Sequence, residues 1–216
     1  MEWFKQRCRA EKDLEIFVKT TCGDRPPSHN DGHMRKVKSN SLWIVYSMLA
    51  LKYLGAMLLL LCFKYGLAED SDHAGLARLL WPGLSFAILL ALTVSIRPLD
   101  LILLVKTVSW LHDVADHKYC KEDPSLKAKV EAFLDKFTHT HRHLIRSDKY
   151  RQIWSKEKIL QIIERISFSR QKNLGTKDWM ETLGEQGLLV RNIVSDADKW
   201  EAIGEFGIKR CLEYQV

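Results

Sequence analysis

The chain has 216 residues, 46% hydrophobic and 28% charged, which is enough apolar material for a sizeable core and argues against global disorder. Lys and Arg number 33 against 27 Asp and Glu, a net charge of +6, but acidic residues are interspersed throughout and the lopsided charge of a nucleic-acid coat is missing. Cys8, Cys22, Cys62, Cys120 and Cys211 are scattered without a C-x-x-C pair, which disfavours a disulfide scaffold or a zinc ribbon and points to a reducing, cytoplasmic setting.

Met1 to Lys12 alternates charge with aromatics and has no apolar core, so no cleaved signal peptide is expected. Trp3, Phe4, Leu14, Phe17 and Val18 recur at roughly helical spacing and predict an amphipathic helix ending near Cys22-Gly23. Asp24-Arg25-Pro26-Pro27 reads as a turn. Ser28 opens S-H-N-D, the pattern of an N-cap with an acid at N3, and predicts a helix from about residue 29 with His29 and His33 on one face.

Three apolar stretches follow, at 42–63, 84–96 and 99–111, punctuated by Pro82 and Pro98. A membrane span needs about 20 apolar residues. Only the first stretch is that long, and Lys52 near its middle would be costly in lipid. Buried or partner-facing helices and membrane association are both open readings for 42–111.

After residue 120 the chain turns charged and amphipathic. Leu126, Val130, Phe133, Leu134 and Phe137 predict a helix behind Pro124, and residues 156–168 predict another. The polar, glycine-punctuated stretch 171–187 reads as a loop, and a last helix is expected over about 188–214. No alternating strand pattern stands out, so the expected class is all-α. His139, His141 and His143 alternate, but period-two residues diverge on a helix, and a solvated segment is expected there.

The segment W-L-H-D-V-A-D-H-K-Y, residues 110–119, carries the chemistry. It sets His112 and Asp113 directly behind an apolar run. If the helix continues, Asp113 and Asp116 share a face. A buried imidazole beside a carboxylate is costly unless something compensates, and a divalent cation does so well. His33 lies upstream in S-H-N-D-G-H-M-R-K-V, and Asp196 and Asp198 lie downstream in I-V-S-D-A-D-K-W-E-A-I-G. Two residues apart on a helix, these aspartates point about 200° away from each other and cannot both be ligands; periodicity does not choose between them.

The order His…His-Asp…Asp, with the strings LHDVADHKY, ISFS, GLLVRNIVSDADKWEAIG and GIKRCLEY, resembles the HD-domain metal-dependent phosphohydrolases, in particular a branch of small stand-alone members. The resemblance covers roughly residues 1–45 and 97–216. It implies a single HD-like helical bundle over 1–216, interrupted by an apolar insertion at about 47–96. It further implies one divalent metal (Mn, Fe, Co, Ni, Zn or Mg) held by His33, His112, Asp113 and Asp198, the last favoured over Asp196 by its place in the A-D-K motif.

Asp116 falls where related enzymes carry an acidic catalytic residue, which makes it the general acid/base candidate. Lys36 and Lys118 are candidates for contacting substrate phosphate, and His29 either touches substrate or supports a ligand. The implied reaction is hydrolysis of a phosphate ester or anhydride of a nucleotide, or of another small phosphorylated compound, by metal-activated water. The chain departs from the family pattern at the insertion, at Asn30 in place of an aspartate and at Lys36 in place of an arginine. Family members also continue with further helices beyond the point where this chain ends. These departures leave a second reading, an inactive or membrane-associated variant of the fold that acts as a binding protein.

Overall fold

An apolar residue every fourth position makes the first helix. In α1 (Glu2–Cys22), Ala10, Leu14, Val18 and Cys22 form one buried stripe; of the apolar residues that mark the helix in sequence, Leu14 and Val18 lie in it, whereas Phe4 is exposed. The computed structural model describes residues 2–66, 98–166 and 179–203 together with Gly207, and among them every regular element is helical: the chain is all-α.

The second helix, α2 (Asp31–Gly66), begins later than S-H-N-D suggests. Asn30 rather than Ser28 caps it, its Oδ1 accepting from the His33 N–H at 3.2 Å. His29 therefore stays in the preceding turn, where its N–H donates to Pro26 O at 2.9 Å. The apolar stretch 42–63 continues this same helix.

The third apolar stretch is α3 (Pro98–Leu111), buried almost all round. A helix without a polar face belongs in the interior. Its buried aspartate, threonine and serine are matched, whereas Trp110 Nε1 is buried without a hydrogen-bond partner. Asp100 Oδ1 accepts from Arg7 at 3.0 Å, and its Oδ2 accepts from the N–H groups of Arg146 and Ser147 at 3.0 and 2.8 Å. Thr107 Oγ1 donates to Leu103 O, and Ser109 Oγ meets Ser41 Oγ of α2 at 3.1 Å. Lys106 reaches out to Glu11 of α1, which also holds Lys38 of α2.

A turn leads to the short α4 (His117–Glu122), capped by Asp116, and then to α5 (Ser125–Thr140), which buries Leu126, Val130, Leu134 and Phe137. A 3-10 turn (Arg142–Leu144) and α6 (Asp148–Arg151) precede α7 (Lys156–Glu164), whose N-cap Ser155 accepts from Lys158 N. The expected solvated histidine segment is so only in part: His139 and His143 are exposed, whereas His141 is buried with Nε2 3.1 Å from Asp13 Oδ2.

The last described helix, α8 (Trp179–Ile203), corrects the loop expected over 171–187. From Trp179 onward the chain is helical, with one break at Gly184, where φ is 67°. The polar composition hid anchors that only packing shows: Trp179 and Leu183 are buried. At Gly187 an added Cβ would lie 3.2 Å from Leu183 Cβ and 3.7 Å from Ile162 Cδ1, so the missing side chain lets α8 approach α7. Residues 84–96, 171–178 and the expected helical turns past Ile203, Gly207 apart, lie outside the described residues.

The chain divides into two units, Met1–Ile44 with Leu99–Val216, and Val45–Pro98. The second spans the 47–96 insertion. In it, the described part of α2 leaves Tyr46, Leu51, Leu54, Met57 and Leu58 exposed. Asp31–Leu58 is long and apolar enough to cross a membrane by length and composition, and its most apolar window is 11% buried.

Candidate metal centre

The end of α3 builds the centre of the site. His112 Nδ1 donates to Ser109 O, one turn back, at 2.9 Å. A carbonyl can only accept, so this bond puts a proton on Nδ1, and in the neutral ring it leaves Nε2 as the lone pair. The helix then stops. Val114 N–H bonds Leu111 O and Asp116 N–H bonds Asp113 O, while the Arg25 guanidinium donates to the carbonyls of Asp113 and Val114 at 3.2 and 2.8 Å. Arg25 lies over the Tyr119 ring, 3.9 Å from its centroid. Carbonyls freed at a helix end thus find a side-chain donor.

His33, in the first turn of α2, stands beside this end, its ring centroid 5.3 Å from that of His112. Asp198, from α8, faces both: its Oδ1 is 3.4 Å from His33 Nε2 and 3.7 Å from His112 Nε2. Asp196, two residues earlier, is exposed. His33, His112 and Asp113 each offer a ligand atom within 4.8 Å of one another. Asp113 Oδ2 is also hydrogen-bonded to His29 Nδ1, whose ring lies edge-on to those of His33 and Tyr119.

The charges are strongly coupled. Burial alone would pull the His33 imidazole down, but the carboxylates of Asp198 and Glu201 outweigh it and push it up to about 9. His112 is raised in the same way, by Asp198 against burial. Burial would raise Asp113, yet His29 and His112 hold it below the usual carboxylate range; the two imidazoles do the same to Asp198 more strongly.

A divalent cation fits this donor set. His112 Nε2 is buried without a hydrogen-bond partner, and its lone pair faces a carboxylate oxygen. Lone pair against carboxylate is repulsive unless a cation lies between them. Two ligand atoms each about 2.1 Å from one ion, at a tetrahedral angle, lie about 3.4 Å apart, close to the spacing of Asp198 from the imidazoles. Imidazole mixed with carboxylate suits Mn, Fe, Co, Ni or Zn.

Asp116 does not continue the α3 face, because the helix has already ended. It caps α4 instead, Oδ1 accepting from Lys118 N–H at 2.9 Å. The Lys118 residue is exposed, and Lys36 Nζ lies 3.5 Å from Glu201 Oε1. Reasoning from sequence passed over Arg25, Ser109 and Glu201. Glu201 left a readable trace, since it lies three residues after Asp198 and so on the same helix face. The chain matches no family model, no curated protein and no solved structure.

Proposed function

We propose that this chain is a metal-dependent phosphohydrolase of the HD-domain type, cleaving a phosphate ester or anhydride of a nucleotide or another small phosphorylated compound. The observation that carries this reading is that His33, His112 and Asp113, from distant parts of the sequence, offer ligand atoms within 4.8 Å of one another, with Asp198 Oδ1 3.4 and 3.7 Å from the two imidazole Nε2 atoms. When bound there, a divalent cation polarises a phosphoryl oxygen and lowers the pKa of a water enough to supply hydroxide near neutral pH. His29 holds the Asp113 carboxylate in orientation, and Arg25 fixes the turn that carries it. Asp116, which follows the same turn and caps α4, is the group proposed to move the proton between water and leaving oxygen. Lys36 and Lys118 supply positive charge for the substrate phosphate, without the two-pronged geometry of arginine.

Metal content per chain, read by elemental mass spectrometry, tests the proposal. We expect about one transition metal per chain in the purified protein, lost in Asp113→Ala and Asp198→Ala and kept in Asp196→Ala. In Asp116→Ala the metal should stay while turnover in a phosphatase and nucleotide-hydrolase screen falls by roughly 100-fold. A wild-type protein that takes up no metal even after reconstitution would sink the assignment.

The exposed apolar side chains of α2 favour a second reading, a membrane-associated or inactive variant that works as a binding protein. Recovery of the protein in the membrane fraction, with no metal, would put that reading first.

A further inference from the structure

We infer that Glu201 is a positioning residue for the proposed metal centre: its carboxylate serves as acceptor for the His33 Nδ1–H and thereby turns the Nε2 lone pair toward Asp198 and His112. The inference rests on the metal-site reading and adds to it the group that sets the state of one ligand. Glu201 Oε2 lies 2.5 Å from His33 Nδ1, on the side of the ring away from Asp198. Both Glu201 oxygens and His33 Nδ1 are buried, and among the described residues none of them has an aligned hydrogen bond, so the 2.5 Å ion-pair contact is what brings carboxylate and imidazole together. The Glu201 side chain is 6% exposed, and Lys36, whose Nζ lies 3.5 Å from Oε1, is itself 56% exposed. A carboxylate buried so deeply is costly unless it meets charge or a donor, and the imidazole N–H is the donor at hand.

The geometry also separates Glu201 from the ligands. An imidazole bound through Nε2 presents its other N–H to an acceptor, and that acceptor fixes the tautomer and raises the ligand's basicity. His112 uses the Ser109 carbonyl for this purpose. His33 has Glu201, placed by α8 on the same helix face as Asp198. One helix thus delivers both a carboxylate to the centre and a carboxylate behind it.

Co2+ titration of the full chain, followed by its visible absorption, tests this with wild type, Glu201→Gln and Glu201→Ala. Gln keeps an acceptor oxygen and loses the charge; Ala loses both. We expect Glu201→Ala to bind Co2+ about 10- to 100-fold more weakly and Glu201→Gln to fall between it and wild type. Long-range proton–nitrogen spectra of the Zn2+-loaded protein should show the His33 proton on Nδ1 in wild type and in Glu201→Gln. Equal Co2+ affinity in wild type and Glu201→Ala, or a His33 proton on Nε2, overturns the positioning role while leaving the metal site intact. Failure of the wild type to bind Co2+ overturns the metal-site reading and this inference with it. If Glu201→Ala does not fold, Glu201→Gln decides: an affinity equal to wild type overturns the role, and a weakened one with the Nδ1 proton retained supports it.

Discussion

Asp198 Oδ1 stands 3.4 and 3.7 Å from two imidazole nitrogens, and that arrangement holds together only with positive charge between them. Without metal, protons supply it. This fixes the sign of a pH dependence for the metal-free protein. His33 has a folded pKa of about 9 against an ordinary 6.5, so the stability it contributes is complete below about pH 6.5 and disappears as pH rises through about 9. His112 is shifted in the same direction. Asp113 and Asp198 are held low, so their contribution is present above the ordinary carboxylate value of 3.8 and fades as pH falls. The metal-free protein should therefore melt progressively lower between pH 6.5 and pH 9.5, by differential scanning fluorimetry in a chelator. Excess Zn2+ should flatten that limb, because the cation replaces the protons. A metal-free melting temperature that is level across this range would show that the imidazoles do not share a proton with Asp198.

At the scale of elements, α3 decides where everything else lies. It carries His112 at its end, and its start is tied down by Asp100, whose two oxygens accept from Arg7 of α1 and from two backbone N–H groups after the 3-10 turn. Asp100 is 2% exposed, so removing its carboxylate takes the counter-charge from the Arg7 guanidinium, which keeps only the Leu99 and Leu144 carbonyls, and leaves two backbone amides without an acceptor. Asp100→Ala should cost about 3–5 kcal/mol of unfolding free energy in urea titration. A loss under about 1 kcal/mol would mean that water replaces the carboxylate there.

The helices were legible wherever a stripe repeats, as in α1 with Leu14 and Val18 or α5 with Val130 and Leu134. They were not legible where a side-chain bond sets the boundary. Asn30 capping through His33 N–H moves the start of α2 past His29, and Arg25 on the carbonyls of Asp113 and Val114 accompanies the break before Asp116. Both events depend on geometry beyond the local periodicity. The same holds at the site: motif order brought out His33, His112, Asp113 and Asp198, whereas Glu201, Ser109 and Arg25 act through contacts that become visible only once three separate segments meet.

For the whole molecule, the question is whether the site needs the apolar unit between its halves. His33, His112, Asp113 and Asp198 all belong to the unit formed by Met1–Ile44 and Leu99–Val216. Within that unit, the partners of α2 run backwards along α3: His33 meets His112, Arg35 and Lys38 lie over Trp110, and Ser41 meets Ser109. Falling numbers on one helix against rising numbers on the other give the two opposing senses, and the eight positions of α2 set against three of α3 make them cross at a steep angle. The end of α2 near Ile44 and the start of α3 near Leu99 therefore lie on the same side of that crossing, and a short connection suits them. Replacing residues 47–96 by a flexible Gly/Ser linker of roughly ten residues should leave about one metal per chain, bound through the same four groups. The shortened chain should also lose the exposed Leu51, Leu54, Met57 and Leu58 and move out of any membrane or aggregated fraction that the full chain enters. Metal retained with altered partitioning would make the apolar unit a separable addition to a working site. Metal lost from a shortened chain that is still helical by circular dichroism would mean that the apolar unit helps to hold His33 against His112, and the site and the insertion would then have to be explained together.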